Sequence, residues 1–312
     1  MSEVSNFIIN FFFKLGLKDT PGKLKNHGED IPIVGGLLFL SVTLISSIFI
    51  SFNNYTNLYL LVIFIIIGIW DDIKNLNPNF KFFVTFFSLI LVIIFDLDLQ
   101  IKLINFKYFE NIFIPYNKYL NILIPTICLM LLLNSFNMSD GINGLASGIF
   151  LSWSIYLLIK FPFITNILFP FIISVLFFLY FNLKNKAFLG DGGNYCLSMI
   201  LGTAIIKINN YDTMIISAEE IFLIFIIPGI DMLRLFIVRI IEKRNPFNGD
   251  RQHFHHYLLK KYGTSKSLII YLLLINIPLY IFYFFNLNLI ILIVLSLITY
   301  FLLLRIAVLK KI

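Results

Sequence analysis

The sequence predicts an all-α, polytopic integral membrane fold: one domain over 1–312 with about ten transmembrane helices. Three observations carry that expectation. Of the 312 residues, 59% are hydrophobic and only 13% charged, whereas soluble domains carry about 25% charged residues. Apolar runs long enough to cross a roughly 30 Å hydrocarbon core recur along the whole chain. Finally, 18 of the 24 Lys and Arg residues fall in alternate segments between those runs. A soluble domain of this length has no interior large enough for so much apolar surface. The net charge of +7 is then a topology signal, because cytoplasmic loops collect Lys and Arg. Nucleic acid is not an expected partner; the lipid bilayer is.

Taken in order, the expected spans are 33–52, 56–70, 81–97, 119–136, 144–160, 163–181, 193–208, 219–240, 268–285 and 288–305. The second is short and its ends are soft. Before the first, Phe7–Leu17 is too short to span and carries Lys14. Glu3 and the lack of a small-residue cleavage site argue against a signal peptide. Residues 1–32 therefore read as an interfacial helix or a truncated first span. Ten alternating spans place 14–30, 71–81, 137–143, 183–192, 239–267 and the C-terminal tail on the cation-rich, cytoplasmic side. The other side holds 53–55, 98–118, 161–162, 209–218 and 286–287. Alternation within Ile101–Phe109 makes a small hairpin the expectation for the longest outer loop. Cys128 and Cys196 lie far apart in apolar runs and make neither a disulfide framework nor a metal cluster.

The unusual polar residues also lie on the cytoplasmic side. Asp71 and Asp72 end the second span, and adjacent carboxylates at a membrane boundary repel unless a cation sits beside them. Asn134, Asn137, Asp140 and Asn143 recur every third residue, a polar ridge at the end of an apolar helix. Such a ridge is costly unless it lines a hydrated site; the plain alternative is a helix C-cap followed by turn residues. Gly190-Asp191-Gly192-Gly193 suits a phosphate- or Mg²⁺-binding turn, and equally ordinary turn chemistry. Three of the four histidines, His253, His255 and His256, sit beside Arg251 and can offer phosphates charge-assisted hydrogen bonds. Zinc is the competing ligand, disfavoured by the absence of nearby cysteine. Lys23, Lys25 and His27 either touch phosphates or anchor the chain at the headgroups. The set suits Mg²⁺-assisted handling of a pyrophosphate at a lipid surface.

Several stretches resemble the polyprenyl-phosphate N-acetylhexosamine-1-phosphate transferases, glycosyltransferase family 4, and most of all their bacterial branch acting on UDP-N-acetylglucosamine. They are Gly16-Leu17-Lys18-Asp19-Thr20-Pro21, His27 with Pro32 and Gly35-Gly36, and Asp71-Asp72. Asn134 to Gly141, Phe188-Leu189-Gly190-Asp191, and Asn245-Pro246-Phe247 through His256 complete the match. The order holds over 16–266, and Asp250-Arg251-Gln252-His253-Phe254-His255-His256 is its most specific run. The resemblance implies a phosphoryl transfer to undecaprenyl phosphate from a UDP-N-acetylhexosamine at a cytoplasmic-face site of the bacterial inner membrane. It further implies Mg²⁺, with Mn²⁺ as a substitute, and a homodimer as a candidate assembly.

By the same resemblance, Asp191 and Asp72 are metal ligands, and Asp71, Asp72 and Asp140 are catalytic. Lys25, His27, Asn137, Asn143, Arg251, His253, His255 and His256 bind substrate. Asn143 departs from the family, which usually has aspartate there. The family's first span is also largely missing before Asp19. Pro228 and Asp231 match as well, and Asp231 with Arg234 is either structural glue or a wall of the site. The alternatives left open are a catalytically altered member serving as a lipid or ion transporter, and a phospho-MurNAc-pentapeptide transferase.

Overall fold

The computed structural model describes residues 9–20, 29–49, 56–114, 118–211, 216–246 and 250–309. Lys25 and His27 lie outside the described residues. A short helical segment, α1, covers 9–14. Strand β1 (Lys18–Asp19) then pairs antiparallel with β2 (Ile31–Pro32), Lys18 opposite Pro32, and the Lys18 ammonium meets Asp30 at 2.7 Å. The next residue, Ile33, bridges to Phe188, which ties the N-terminal segment to a distant loop.

The remaining architecture is helical. It comprises α2 (Gly35–Phe49), α3 (Thr56–Lys74), α4 (Pro78–Phe95), α5 (Lys118–Ser139), α6 (Leu145–Lys160) and α7 (Thr165–Asn182). After these come α8 (Gly190–Asn209), α9 (Ala218–Ile241), α10 (Phe254–Tyr262), α11 (Thr264–Phe285) and α12 (Leu289–Val308). Every span expected from the sequence coincides with a helix. Among the described residues, six helices are long and apolar enough to cross a membrane: α4, α5, α7, α9, α11 and α12. Helix α2 has 15 residues, about 22 Å at 1.5 Å per residue, and α6 has 16. Both fall short of a full hydrocarbon core.

The helices enclose α8. Its glycine-rich first turns and small apolar residues leave no charged face, and it is buried almost throughout, packed on α2, α3 and α5. A Cβ at Gly68 would stand 2.5 Å from the Gly192 Cα, so the α3 and α8 backbones meet where any side chain would force them apart. Outward faces are apolar instead. Phe83, Phe87 and Leu91 on α4, and Ile291, Leu295, Ile298 and Leu302 on α12, are all exposed. Apolar stripes this continuous need lipid rather than water.

At the end of the helices remote from Asp71 and Asp72, the expected hairpin is present but shifted: β3 (Leu103–Ile104) pairs with β4 (Ile112–Phe113). The shift follows from anchoring rather than alternation. The Glu219 carboxylate accepts the Lys107 backbone N–H at 3.0 Å, and the Tyr108 hydroxyl accepts the Leu289 N–H at 3.0 Å. Beneath it, buried Glu220 accepts hydrogen bonds from the Tyr156 hydroxyl at 2.7 Å and from Lys160.

Candidate functional site

Helix α3 runs past the expected end of its span, so Asp71 and Asp72 lie in its last turn rather than in a loop. The chain then turns at Asn75, with φ +48°, and the Asn77 side chain caps α4. The turn brings Lys81 back over the carboxylates. Its ammonium donates to Asp71 Oδ2 at 2.5 Å and also to Asp191 Oδ2, while standing 5.4 Å from the Tyr195 ring centroid. The second Asp71 oxygen accepts the Leu76 N–H at 2.7 Å, which locks the turn.

Asp72 points elsewhere, and both its oxygens are used. Oδ1 accepts the Asp191 N–H at 2.8 Å and Oδ2 the Gly192 N–H at 3.1 Å. The carboxylate thus caps α8 from another helix, where unpaired amides and the helix dipole favour negative charge. The glycine-rich stretch read as a turn before a span is therefore the first turn of α8 itself, and Asp191 is held in it.

Asp140 follows α5 directly. Asn194, one helical turn beyond Asp191, donates to Asp140 Oδ2 at 2.9 Å. Burial pushes the Asp140 carboxyl up to about 7; Asn194 opposes this and the charge of Asp72 adds to it. The Asn194 amide oxygen is itself buried with no hydrogen-bond partner.

One residue on, the same loop meets the histidines. A Cβ on Gly141 would lie 2.0 Å from His255 Nε2 and 2.7 Å from His256 Cε1, so only a bare backbone fits. The His255 and His256 ring centroids are 4.1 Å apart, and His253 stacks on His255 at 5.5 Å. His255 is held well below the ordinary histidine range by burial, then by its two neighbouring imidazoles. Burial, then the charges of His253 and Arg251, bring His256 down to about 4. Two arginines of α9 fasten this loop. Arg234 donates to Asp231 at 2.7 Å and to the Gln252 carbonyl at 2.7 Å. Arg239 donates to Asp250 at 2.9 Å and to the Pro246 carbonyl at 2.9 Å.

The structure therefore brings together Asp71, Asp72, Asp140 and Asp191, and seats His255 and His256 against the residue next to Asp140. Arg251 is exposed beside them, and Asn137 is half-buried in the last turn of α5. The three-residue ridge does not survive as one face, because α5 ends at Ser139 and the chain turns. Asn134 bonds back to the Met130 carbonyl at 2.7 Å, while Asn143 donates to Asn185 Oδ1 at 2.6 Å. Phe247 to Gly249 lie outside the described residues. Lys81 was missed as a site residue, as were Asn194 and Tyr195. The available signal was a cation in the first turn of an apolar helix, ten residues after a carboxylate pair. A groove of ≈ 360 Å³ lies between α4 and the loop after α9, lined by Asn79, Phe82, Phe83, Asn245 and Pro246.

No three Asp, Glu, His or Cys side chains converge tightly enough to hold an ion as arranged among the described residues. The donor chemistry nevertheless fits a hard divalent cation: carboxylate oxygens of Asp191, Asp72 and Asp140 beside an unpartnered amide oxygen. The ammonium of Lys81 is the cation between Asp71 and Asp191 here.

Residues 54–209 match the family model described as glycosyl transferase family 4. Three curated relatives carry the name undecaprenyl-phosphate alpha-N-acetylglucosaminyl 1-phosphate transferase. The Thermotoga maritima protein is 29% identical over 278 residues, 84% of this chain and 83% of its own. The Escherichia coli K12 protein is 26% identical over 272 residues, 82% of this chain and 73% of its own. The Salmonella typhi protein is 25% identical over 271 residues, with the same two shares.

Proposed function

Because the chain belongs to glycosyl transferase family 4, we propose that it transfers N-acetylhexosamine-1-phosphate from a UDP-sugar to undecaprenyl phosphate. The sugar in this reading is N-acetylglucosamine, as in the names of its relatives. An oxygen of the lipid phosphate attacks the phosphorus that carries the sugar. The bond from that phosphorus to the bridging oxygen breaks, UMP leaves with the electron pair, and the anomeric bond stays intact. The product is a lipid-linked sugar pyrophosphate, the starting unit of a cell-envelope glycan.

The observation that supports this most directly is the meeting of Lys81 with Asp71 and Asp191, next to Asp140 and the histidine cluster. Two anionic reactants repel, so the site must supply positive charge and fixed donors in a water-poor setting. Lys81 supplies charge on the acid side; Arg251 with His253, His255 and His256 faces the pyrophosphate or sugar. Asp191, with Asp72 and Asp140, is the proposed ligand set for Mg²⁺ or Mn²⁺, which when bound offsets the charge of the pyrophosphate. Asp72 positions Asp191 by capping α8. Asn143, the departure from the family pattern, is engaged by Asn185.

Ten crossings with the site facing the cytoplasm of a bacterial inner membrane complete the proposal. The uneven distribution of Lys and Arg supports that orientation. The test is to incubate membranes holding the protein with UDP-GlcNAc, undecaprenyl phosphate and Mg²⁺ and measure UMP and lipid-linked product. Turnover is expected, and Asp191→Asn is expected to abolish it with folded protein retained. If no UDP-N-acetylhexosamine turns over where a control enzyme works, the reading fails.

A further inference from the structure

Asp231 lies in the middle of α9 and is 4% exposed, where a lone carboxylate would be strongly unfavourable. Among the described residues, each of its hydrogen-bond partners faces it with a donor or a ring nitrogen. Arg234 gives 2.7 Å to Oδ1, the Tyr300 hydroxyl gives 2.7 Å to the same oxygen, and the Phe254 backbone N–H lies 3.1 Å from Oδ2. The remaining contact is His253 Nδ1, 3.0 Å from Oδ2.

We propose that Asp231 is a positioning residue for the transfer reaction: it holds His253 with the proton on Nδ1 and leaves Nε2 as the ring's working atom. An ionised carboxylate can only accept, so the nitrogen facing it must carry hydrogen. The far nitrogen is then defined without reference to substrate, as in other sites where a buried carboxylate selects a histidine tautomer. The same carboxylate caps α10 through Phe254, so it sets the start of the helix that carries His255 and His256 as well as the His253 ring. Its other two partners lie outside the histidine run: Arg234, one turn along α9, also grips the Gln252 carbonyl, and Tyr300 belongs to α12. The histidine run is thereby referenced to two apolar helices rather than to its own loop. This inference rests on the transferase reading for its kinetic arm alone.

The experiment is a double-mutant cycle in the purified full-length protein, with Asp231→Asn, His253→Gln and the pair. Asp231→Asn is expected to lower kcat/KM for UDP-GlcNAc by about 10–100-fold, with KM for the lipid phosphate within about twofold of the parent. If Asp231 acts through His253, the pair loses no more than His253→Gln alone. Tyr300→Phe, which keeps the ring packing and removes one donor, serves if Asp231→Asn does not fold. It should lower kcat/KM severalfold in the parent and leave the His253→Gln background unchanged. Losses that multiply in either cycle, or an unaffected kcat/KM, overturn the proposal. A second arm needs no turnover: ¹⁵N-histidine spectra should show one Nδ1-protonated ring that disappears in His253→Gln and shifts in Asp231→Asn or Tyr300→Phe. Absence of that signal overturns the positioning role even in an active enzyme. Its presence in a protein inactive on UDP-GlcNAc upholds the role and counts only against the transferase reading.

Discussion

Lys81 holds two carboxylates, Asp71 of α3 and Asp191 of α8, that would otherwise face one another across the contact between those helices. A buried ion pair contributes little when compared with an apolar replacement, but removing one partner strands the other charge. Lys81→Gln should therefore cost of order 3 kcal/mol of stability and about 10²-fold in turnover, the loss seen when one donor to a developing charge is deleted. Thermal melting in detergent and UMP release measure the two effects, and near-parental turnover would remove Lys81 from the site. This residue also shows what a sequence hides. Its position reads as one more lysine anchoring the mouth of a span, since charge asymmetry explains every lysine on that side equally well. Only the turn at Asn75 makes it a partner of Asp71, and that turn rests on a residue with positive φ that carries no glycine signal. Asp191 was singled out by the family resemblance, since its setting among glycines reads equally as ordinary turn chemistry; the fold puts it within reach of Lys81. Asn143 was misleading, because its three-residue spacing from Asp140 assumed a helix that had already ended.

Helix pairs set the geometry of the site. Asp72 reaches the first amides of α8 only because α3 and α8 touch backbone to backbone near Gly68 and Gly192. Gly68→Ala inserts a methyl group 2.5 Å from the Gly192 Cα, and overpacking of this kind costs typically 1–3 kcal/mol. The expected result is a lower melting temperature together with a larger fall in turnover than the stability loss explains, because the Asp72 cap is displaced along with the helix. Parental turnover in a destabilised variant would separate the packing from the chemistry. Helix positions were readable from apolar runs, and each expected span has its helix. Helix ends were not, since α3, α5 and α8 end or begin at hydrogen bonds to residues far away in the chain. The hairpin was expected, yet its register depends on Glu219, more than a hundred residues further on.

Across the whole molecule, buried histidines link stability to pH. His256 is lowered to about 4 and His255 is held well below its ordinary value, first by burial in both cases. The unfolded chain takes up these protons near pH 6.5, while in the folded protein His256 takes its proton only near pH 4 and His255 only well below its ordinary value. Their contribution to stability is therefore complete above pH 6.5 and is lost as pH drops toward 4, while Asp140, raised to about 7, contributes in the opposite sense over the same range. Between pH 7.5 and 4.5 the melting temperature of the parent should fall relative to that of His256→Asn. An unchanged slope in that variant would show that other groups govern the acid limb.

The cap that Asp72 places on α8 also bears on how the protein comes into being. Asp72 and the amides it holds are 119 and 120 residues apart in the chain, and Tyr300 is synthesised later still. A ribosome threading this chain into a bilayer releases the acids of α3 long before their partners exist. The reactive centre is thus among the last features to be completed, so a half-made chain carries the pieces of a catalyst without being one.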